Sequence, residues 1–272
     1  MRRSPVAAAL LALAIGCARA PPPDLSADPA ELLAAVRARM ERVQRVSGGA
    51  RLRLESPRAS GSLDALAAAE RPDRLRLELL DFFGGPVALL VASGGRFAFL
   101  DARRGIWYRG EATPENLSRV LPVPASVEDL AAAACGSPVL IDGAPLSAAP
   151  GNGVMRLVLA GGGREQRLEV GPGAAVESSR LLRRLPGGAA EPVGPDLDFG
   201  SFRRLGGLRV PGSVRLQAAG GGLAELRWKG DLSVNGPPDP ALFAVAVPEG
   251  ARVVELGPGV EPPRLELPRA AE

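Results

Sequence analysis

Residues 74–92 read RLRLELLDFFGGPVALLVA, and this stretch decides the fold. Charged and apolar residues alternate from Arg74 to Leu79, which indicates an antiparallel strand with one buried face. Gly84-Gly85 marks a turn, and the apolar run that begins at Pro86 indicates a second strand. The stretch therefore predicts two neighbouring antiparallel strands joined by a short loop.

The same alternation extends along most of the chain, interrupted by Gly-rich and Pro-rich turns. It predicts about eleven or twelve strands, which form one meandering antiparallel sheet. Besides the two strands above, the predicted strands lie at about 50–55, 61–69, 97–99, 107–108, 155–160, 166–170, 176–185, 197–202, 208–217, 223–234 and 252–256.

Three helices are predicted from apolar spacing and capping signals. Asp28-Pro29 begins the first, whose apolar stripe (Leu32, Val36, Met40 and Val43) predicts an amphipathic helix ending near Gly48-Gly49. A short second helix is expected over residues 113–120. Ser126 and Asp129 have the spacing of a capping box, which predicts a third helix running to Cys135.

The first seventeen residues have the organisation of an export signal. Residues 1–16 combine two arginines, a short apolar run and a small residue, as in a signal peptide. Leu13-Ala14-Ile15-Gly16-Cys17 resembles the lipobox of bacterial lipoproteins, which implies cleavage before Cys17 and lipidation of its side chain. The alternative is an ordinary signal peptide that happens to contain a cysteine.

The rest of the chain is expected to form one folded domain. Residues 17–28 are predicted to be the lipidated cysteine and a stiff, Pro-rich spacer that holds the protein away from the bilayer. Residues 29–256 are the domain, because no linker divides them, and residues 257–272 are predicted to be a flexible tail.

Composition argues against several classes of function. The 272 residues contain no histidine, which removes the common catalytic triads and zinc ligand sets, so we expect neither an enzyme nor a metal or cofactor site. The net charge of +3 falls to about +1 without Arg2 and Arg3, and the arginines form no basic block, so no nucleic-acid partner is expected. Cys135 has no partner if Cys17 is lipidated, which favours a small buried residue.

Four regions of the chain resemble the LolA/LolB lipoprotein-localisation superfamily. Residues 79–89 are similar to a strand–loop–strand of the LolB-type outer-membrane lipoprotein receptor, and residues 95–101 with 107–108 resemble its next hairpin. Residues 121–138 resemble its proline-spaced helices, and residues 235–250 are similar to a region of the LolA-type carriers. The resemblance implies an α+β fold, namely an unclosed antiparallel β-barrel of about eleven strands with a helical lid over an apolar cavity.

The resemblance also implies where lipid would be handled. In LolB-type proteins a loop leucine helps to deliver lipoproteins into the membrane, and Phe83 takes that position here with Phe82 beside it. The alternative is that both phenylalanines turn inward as part of the core. From the alternation we predict which residues line the cavity. They are Leu75, Leu77, Leu79, Leu89, Val91, Phe97 and Phe99 from the strands, and Leu117 and Leu130 from the lid helices. Periodicity alone leaves open whether the interior is a cavity or is packed solid.

Two functions follow as hypotheses. The first is a monomeric lipoprotein anchored in the outer membrane through Cys17, facing the periplasm, that receives the acyl chains of lipoproteins from a LolA-like carrier and inserts the lipoproteins into the membrane. The second is a structural or assembly lipoprotein that docks envelope proteins. An envelope hydrolase would need a close pair of carboxylates, and no spacing in the sequence indicates one.

Overall fold

The computed structural model describes residues 19–57, 59–244, 247 and 250–257. In these residues the chain forms eighteen strands, three α-helices and two single 3-10 turns, at Pro172–Ala174 and Pro240–Phe243. The helices are α1 (Pro29–Glu41), α2 (Pro114–Leu117) and α3 (Val127–Ala134). The strands are β1 (Arg45–Ser56), β2 (Ala59–Glu70), β3 (Arg74–Leu80), β4 (Pro86–Ser93), β5 (Arg96–Asp101), β6 (Ile106–Glu111), β7 (Ala144–Pro150), β8 (Met155–Gly161), β9 (Arg164–Gly171), β10 (Ala175–Arg184), β11 (Ala190–Pro192), β12 (Asp196–Gly200), β13 (Arg203–Leu205), β14 (Leu208–Val210), β15 (Ser213–Gln217), β16 (Leu223–Trp228), β17 (Ser233–Val234) and β18 (Arg252–Glu255).

Sixteen of the described strands belong to one large sheet. Its order is β18-β6-β5-β4-β3-β2-β1-β16-β15-β12-β10-β9-β8-β7, with β11 beside β10 and β17 beside β1. Neighbouring strands are antiparallel except for β18, which runs parallel to β6. The two outermost strands, β18 and β7, do not pair with each other, so the sheet is open.

The mostly β, open antiparallel architecture predicted from the sequence is confirmed, but the count of about eleven strands is too low. Several of the missed strands are only two or three residues long, too short to show a period. The predicted strand 208–217 is divided by Pro211-Gly212 into β14 and β15. The sequence pattern does not predict β7, because the Ala and Pro residues of this segment have a low strand propensity.

The register divides the sheet into an inner face, on which the helices pack, and an outer face. Leu75, Leu77 and Leu79 of β3 lie on the inner face, and the cross-strand register places Leu90 and Ala92 of β4 beside them. The outer face carries ion pairs within and between strands: the buried carboxylate of Glu225 meets Arg227 of its own strand and Arg215 of neighbouring β15. The apolar side chains of the sheet are therefore concentrated on its inner face.

The first helix starts as predicted and ends earlier. Asp28 caps it, since its carboxylate accepts hydrogen bonds from the backbone N–H groups of Ala30 and Glu31. The helix ends at Glu41 rather than near Gly48-Gly49. The chain turns at this point because β1 begins at Arg45 and pairs with β2 over the full length of both strands. Backbone pairing of twelve residues thus overrides the helical stripe read from the sequence.

The two later helices lie between β6 and β7. Thr113 caps α2, which is a single turn and shorter than the predicted 113–120. The predicted capping box of α3 is confirmed: Ser126 Oγ accepts from Asp129 N at 3.0 Å, and Asp129 accepts from Ser126 N at 3.1 Å. Through this cap, α3 is set on the inner face of β2 and β3.

Several sequence predictions fall on residues outside those described. These are the signal peptide at 1–16, the lipidation of Cys17 and, apart from Gly257, the tail at 257–272. None of the helices in the described part of the chain is long and apolar enough to cross a bilayer.

Candidate functional site

An apolar pocket lies between the inner face of the sheet and helix α3. One wall is formed by strands β1, β2, β3, β15 and β16, and the other by α3 and the segment that precedes it. Its lining side chains are those of Leu, Ala, Val and one Trp. They belong to Leu52, Ala67, Ala68, Leu75, Leu77, Leu121, Leu130, Ala133, Ala134, Val214, Leu216, Ala224, Leu226 and Trp228.

The pocket beneath the helix is small. Its volume is about 60 Å³, whereas pockets that hold ligands of drug size are on the order of 300–1,000 Å³. A long acyl chain therefore fits only if α3 moves away from the sheet. The lining is nonetheless what a hydrocarbon chain requires, because it is almost free of polar atoms.

The composition of α3 makes it the weaker of the two helices that cover the inner face. Four of its eight residues are alanines, and its contact with the pocket wall is made by Leu130, Ala133 and Ala134. By contrast, α1 inserts Leu32, Leu33 and Val36 into the core. Because apolar burial scales with the buried area, an Ala-rich contact face is displaced at a lower free-energy cost.

The C-terminal end of α3 is fixed by polar contacts to the sheet. Arg71, in the turn between β2 and β3, donates to the carbonyl oxygen of Ala132 at 3.4 Å and to Ser137 Oγ. Gly136 has a φ of +85° and packs so closely on Pro211 that a Cβ atom would lie 2.6 Å from its ring. The C-terminal end of α3 is therefore attached to the sheet.

Cys135 lies beside that attachment point as a buried thiol. Its Sγ lies 3.7 Å from the carbonyl oxygen of Gln44, to which it donates a weak hydrogen bond. Burial raises the pKa of the Cys135 thiol to about 11. A neutral, buried thiol is a packing residue, as the sequence predicted, and is a poor nucleophile.

The chain that follows α3 is held by a buried glutamine. Gln166 Oε1 accepts from Ile141 N at 3.0 Å, and its Nε2 donates to Val139 O at 2.9 Å and to Ser179 Oγ at 3.0 Å. These bonds satisfy the side-chain amide and attach the segment to β9 and β10. The segment that follows α3 is thus fixed to the sheet.

The loop between β3 and β4, residues 81–85, exposes two phenylalanines. Phe82 is 96% exposed and Phe83 is 92% exposed. Their ring centroids are 5.5 Å apart in an edge-to-face arrangement. Asp81 Oδ1 accepts hydrogen bonds from Phe83 N at 2.9 Å and Gly85 N at 2.8 Å. This tip loop is therefore a preformed turn, and the alternative of both rings turned into the core does not describe it.

The start of the described chain is bound to the opposite rim of the sheet. Arg19 N donates to Asn152 Oδ1 at 2.7 Å, and Asp24 Oδ2 accepts from Gly173 N at 2.7 Å. Residues 19–25, the N-terminal segment, thus lie against the β7–β8 and β9–β10 turns. The predicted spacer at 17–28 thus packs on two turns of the sheet over its residues 19–25, and its role in holding the domain away from a bilayer stays a prediction.

The strand directions place the N-terminal segment and the tip loop at opposite ends of the strands. The tip loop follows the end of β3, and the antiparallel order puts the turns before β8 and before β10 at the other rim. The seven residues of β3 span about 23 Å at 3.3 Å per residue. The N-terminal segment therefore lies at the rim away from the phenylalanines.

The structure places most of the nominated cavity residues on the inner face, but only some at the pocket. Leu75, Leu77 and Leu130 line it. Leu79, Phe97, Phe99 and Leu117 are buried elsewhere in the same core, where the rings of Phe99 and Tyr108 lie 6.4 Å apart.

Two nominated residues are wrong. Leu89 and Val91 lie on the outer face, since their neighbours Leu90 and Ala92 pair with inner-face residues. The alternation could not reveal this because the outer side of β4 is also apolar, covered by Phe243 and Val247.

Sequence reasoning missed the one pocket residue that carries a polar atom. Trp228 is 7% exposed, lines the pocket, and has an indole N–H that is buried without a hydrogen-bond partner in the described structure. The signal was present in the sequence, because the alternation of Leu223-Ala224-Glu225-Leu226-Arg227-Trp228 puts the tryptophan on the same face as Leu226. Within the described residues, no group of three or more potential metal ligands occurs.

Comparison with solved structures reveals similar folds at low identity. A LolA superfamily protein from Nitrosomonas europaea matches with a TM-score of 0.52 and 13% identity, covering 79% of this chain and 97% of that one. A putative outer membrane lipoprotein-sorting protein domain from Vibrio parahaemolyticus matches with a TM-score of 0.53 and 13% identity, covering 78% and 94%. A DUF1329 family protein from Desulfovibrio piger matches with a TM-score of 0.50 and 12% identity, covering 80% and 98%.

The sequence itself matches no protein-family model and no curated protein. The likeness is therefore one of architecture, carried by the open antiparallel sheet and the helices on its inner face. These structures establish that the chain has a LolA-like fold.

Proposed function

We propose that this protein is a lipid-anchored lipoprotein of the cell envelope that binds the acyl chains of other lipoproteins and passes them to the outer membrane. The observation that carries the proposal is the pocket of aliphatic side chains covered by the Ala-rich helix α3. The LolA-like fold, which the lipoprotein-sorting domain of Vibrio parahaemolyticus shares, supports it.

Burial of hydrocarbon supplies the driving force. Each methylene group moved out of water contributes about 0.8 kcal/mol, so a chain that displaces α3 exchanges weak Ala contacts for many methylene contacts. The small pocket corresponds to the empty protein, in which α3 covers the wall that a chain would otherwise occupy. No covalent step by the protein is needed, and we propose that it is not an enzyme.

The tip loop is the proposed exit to the membrane. A phenylalanine ring buries well in the lipid interface, and Phe82 and Phe83 are exposed on a turn that needs no rearrangement. Their rings would loosen lipid packing where a cargo chain leaves the pocket. A LolA-like carrier in the periplasm is the proposed donor of that cargo.

Cys17 is the proposed anchor, on the strength of the lipobox-like Leu13-Ala14-Ile15-Gly16-Cys17. When the N-terminal segment is bound to its rim, only a short tether separates this anchor from the domain. Release of residues 19–25 would leave eleven residues, 18–28, as a free tether between Cys17 and α1. Such a tether extends up to about 36 Å at 3.3 Å per residue and would let the tip loop reach the same bilayer. The bound segment therefore favours contact with the carrier, and the released one contact with the membrane.

The first experiment is native mass spectrometry of the full-length protein extracted gently from membranes. We expect a population that carries one non-covalent lipid or lipoprotein in addition to the covalent modification at Cys17. Protein that never carries a non-covalent lipid, even after incubation with acylated peptide, would contradict the proposal.

A second candidate is a structural or assembly lipoprotein, and the nearly filled centre favours it. A pocket of about 60 Å³ is compatible with a permanently packed core. In that case the same purification yields lipid-free protein bound to another envelope protein, and α3 stays in place when acyl ligands are added.

A further inference from the structure

Among the side chains that line the pocket, only that of Trp228 carries a polar atom. Of the fourteen side chains that line the pocket, thirteen are aliphatic and the last is Trp228, whose indole N–H is buried without an acceptor. A buried donor without a partner costs free energy equivalent to a lost hydrogen bond. Native structures retain such donors where a ligand or water supplies the acceptor.

Trp228 lies in the middle of the pocket wall. The cross-strand register puts it in line with Ala50, with Leu226 and Leu52 on one side and Ala67 and Leu77 on the other. It is the last residue of β16, and Leu226 and Ala224 precede it on the same face. The inner-face wall therefore runs from the tryptophan along β16 as hydrocarbon alone. This wall fits a ligand with one hydrogen-bond acceptor and one long apolar tail, with the acceptor at Trp228 and the tail along β16.

Two hydrogen bonds fix the backbone of Trp228. Arg203 Nη2 donates to the carbonyl oxygen of Trp228 at 3.1 Å, and Trp228 N donates to Gly212 O at 2.9 Å. Arg203 Nε is itself buried without a partner. The unsatisfied side-chain group that belongs to a pocket-lining residue is the indole donor of Trp228, so the complementary group is an acceptor.

Resting on the proposed function, we propose that Trp228 is a specificity-determining residue that donates its indole N–H to the carbonyl of an acyl ester or amide. The tail of that ligand lies along Leu226 and Ala224, and α3 is displaced to admit it. The site thereby distinguishes acyl groups from plain hydrocarbon of equal length.

The test is a competition between methyl laurate and tridecane for the full-length protein. Protein is incubated with an equimolar mixture and separated from free ligand, and the bound ligands are extracted and quantified by gas chromatography. In Trp228→Phe the ratio of bound ester to alkane should fall about tenfold relative to the wild type, as expected for one lost hydrogen bond. Trp107→Phe, which changes the tryptophan of the outer face, should leave the ratio unchanged.

An unchanged ratio in Trp228→Phe, with both ligands bound, would overturn this inference and leave the proposed function standing. Failure of the wild type to bind either ligand would overturn both. If Trp228→Phe folds poorly, a second measurement on the wild-type protein alone tests the proposed hydrogen bond. The infrared carbonyl band of bound ¹³C-labelled ester should lie below its position in alkane solvent, and an unshifted band would also refute the hydrogen bond.

Discussion

Removal of the two tip rings should weaken membrane contact without weakening the fold. Phe82 and Phe83 are 96% and 92% exposed, and their ring contact is with each other. Burying one phenylalanine side chain contributes about 1.5–3 kcal/mol. Two rings inserted in lipid would therefore contribute about 3–6 kcal/mol, which is roughly two to four orders of magnitude in the partition coefficient.

The assay is co-sedimentation with vesicles of outer-membrane phospholipids, in a Cys17→Ser background that removes the proposed lipid anchor. We expect the Phe82→Ser, Phe83→Ser double variant to lose at least nine-tenths of its vesicle binding and to keep its melting temperature. Leu66→Ser is the matched control, because Leu66 is 49% exposed and lies outside the tip loop. Equal vesicle binding by the double variant would contradict membrane contact by the tip loop. A large drop in its melting temperature would contradict the claim that the two rings do not stabilise the fold.

Three further predictions concern the pocket, the outer face and the N-terminal segment. Ala133→Met should fill the pocket and reduce binding of acylated peptide by about tenfold, whereas Ala35→Met on the exposed side of α1 should not; equal losses in both would contradict the pocket's role. Two arginines hold the pKa of the Glu165 carboxyl below its ordinary value of 4.5, so Glu165→Gln should cost about 1 kcal/mol at pH 7. That difference should vanish in urea melts as the pH falls below the lowered pKa, since the stabilisation exists only while the carboxylate is charged; a difference that persists at low pH would disprove it. Asp24→Ala with Asn152→Ala should free the N-terminal segment, seen as faster trypsin cleavage within it, and unchanged cleavage would mean that these two contacts do not hold it.

The features of the fold that could be predicted from sequence are those with strong local signals. The alternation in β3 gave the inner face correctly, and the spacing of Ser126 and Asp129 gave the start of α3. Both signals are set by neighbouring residues, so they need no knowledge of the rest of the chain.

The errors arise where distant segments decide the outcome. The end of α1 is set by the pairing of β1 with β2, and the phase of β4 is hidden because Phe243 and Val247 cover its outer side. The binding of Arg19 and Asp24 to turns more than 130 residues away could not be inferred from the Pro-rich composition of their segment. A local sequence pattern does not reveal how a segment packs against residues far away in the chain.

The two tryptophans allow a direct test of where an acyl chain binds. Trp228 lies in the pocket under α3, and Trp107 lies on the outer face beside Phe243. A fatty ester brominated along its chain quenches tryptophan fluorescence on contact. In Trp107→Phe protein we expect saturable quenching of Trp228, with faster hydrogen exchange in α3 as the helix is displaced. Quenching of Trp107 in Trp228→Phe protein, with Trp228 unaffected in Trp107→Phe protein, would contradict an acyl site between the sheet and α3.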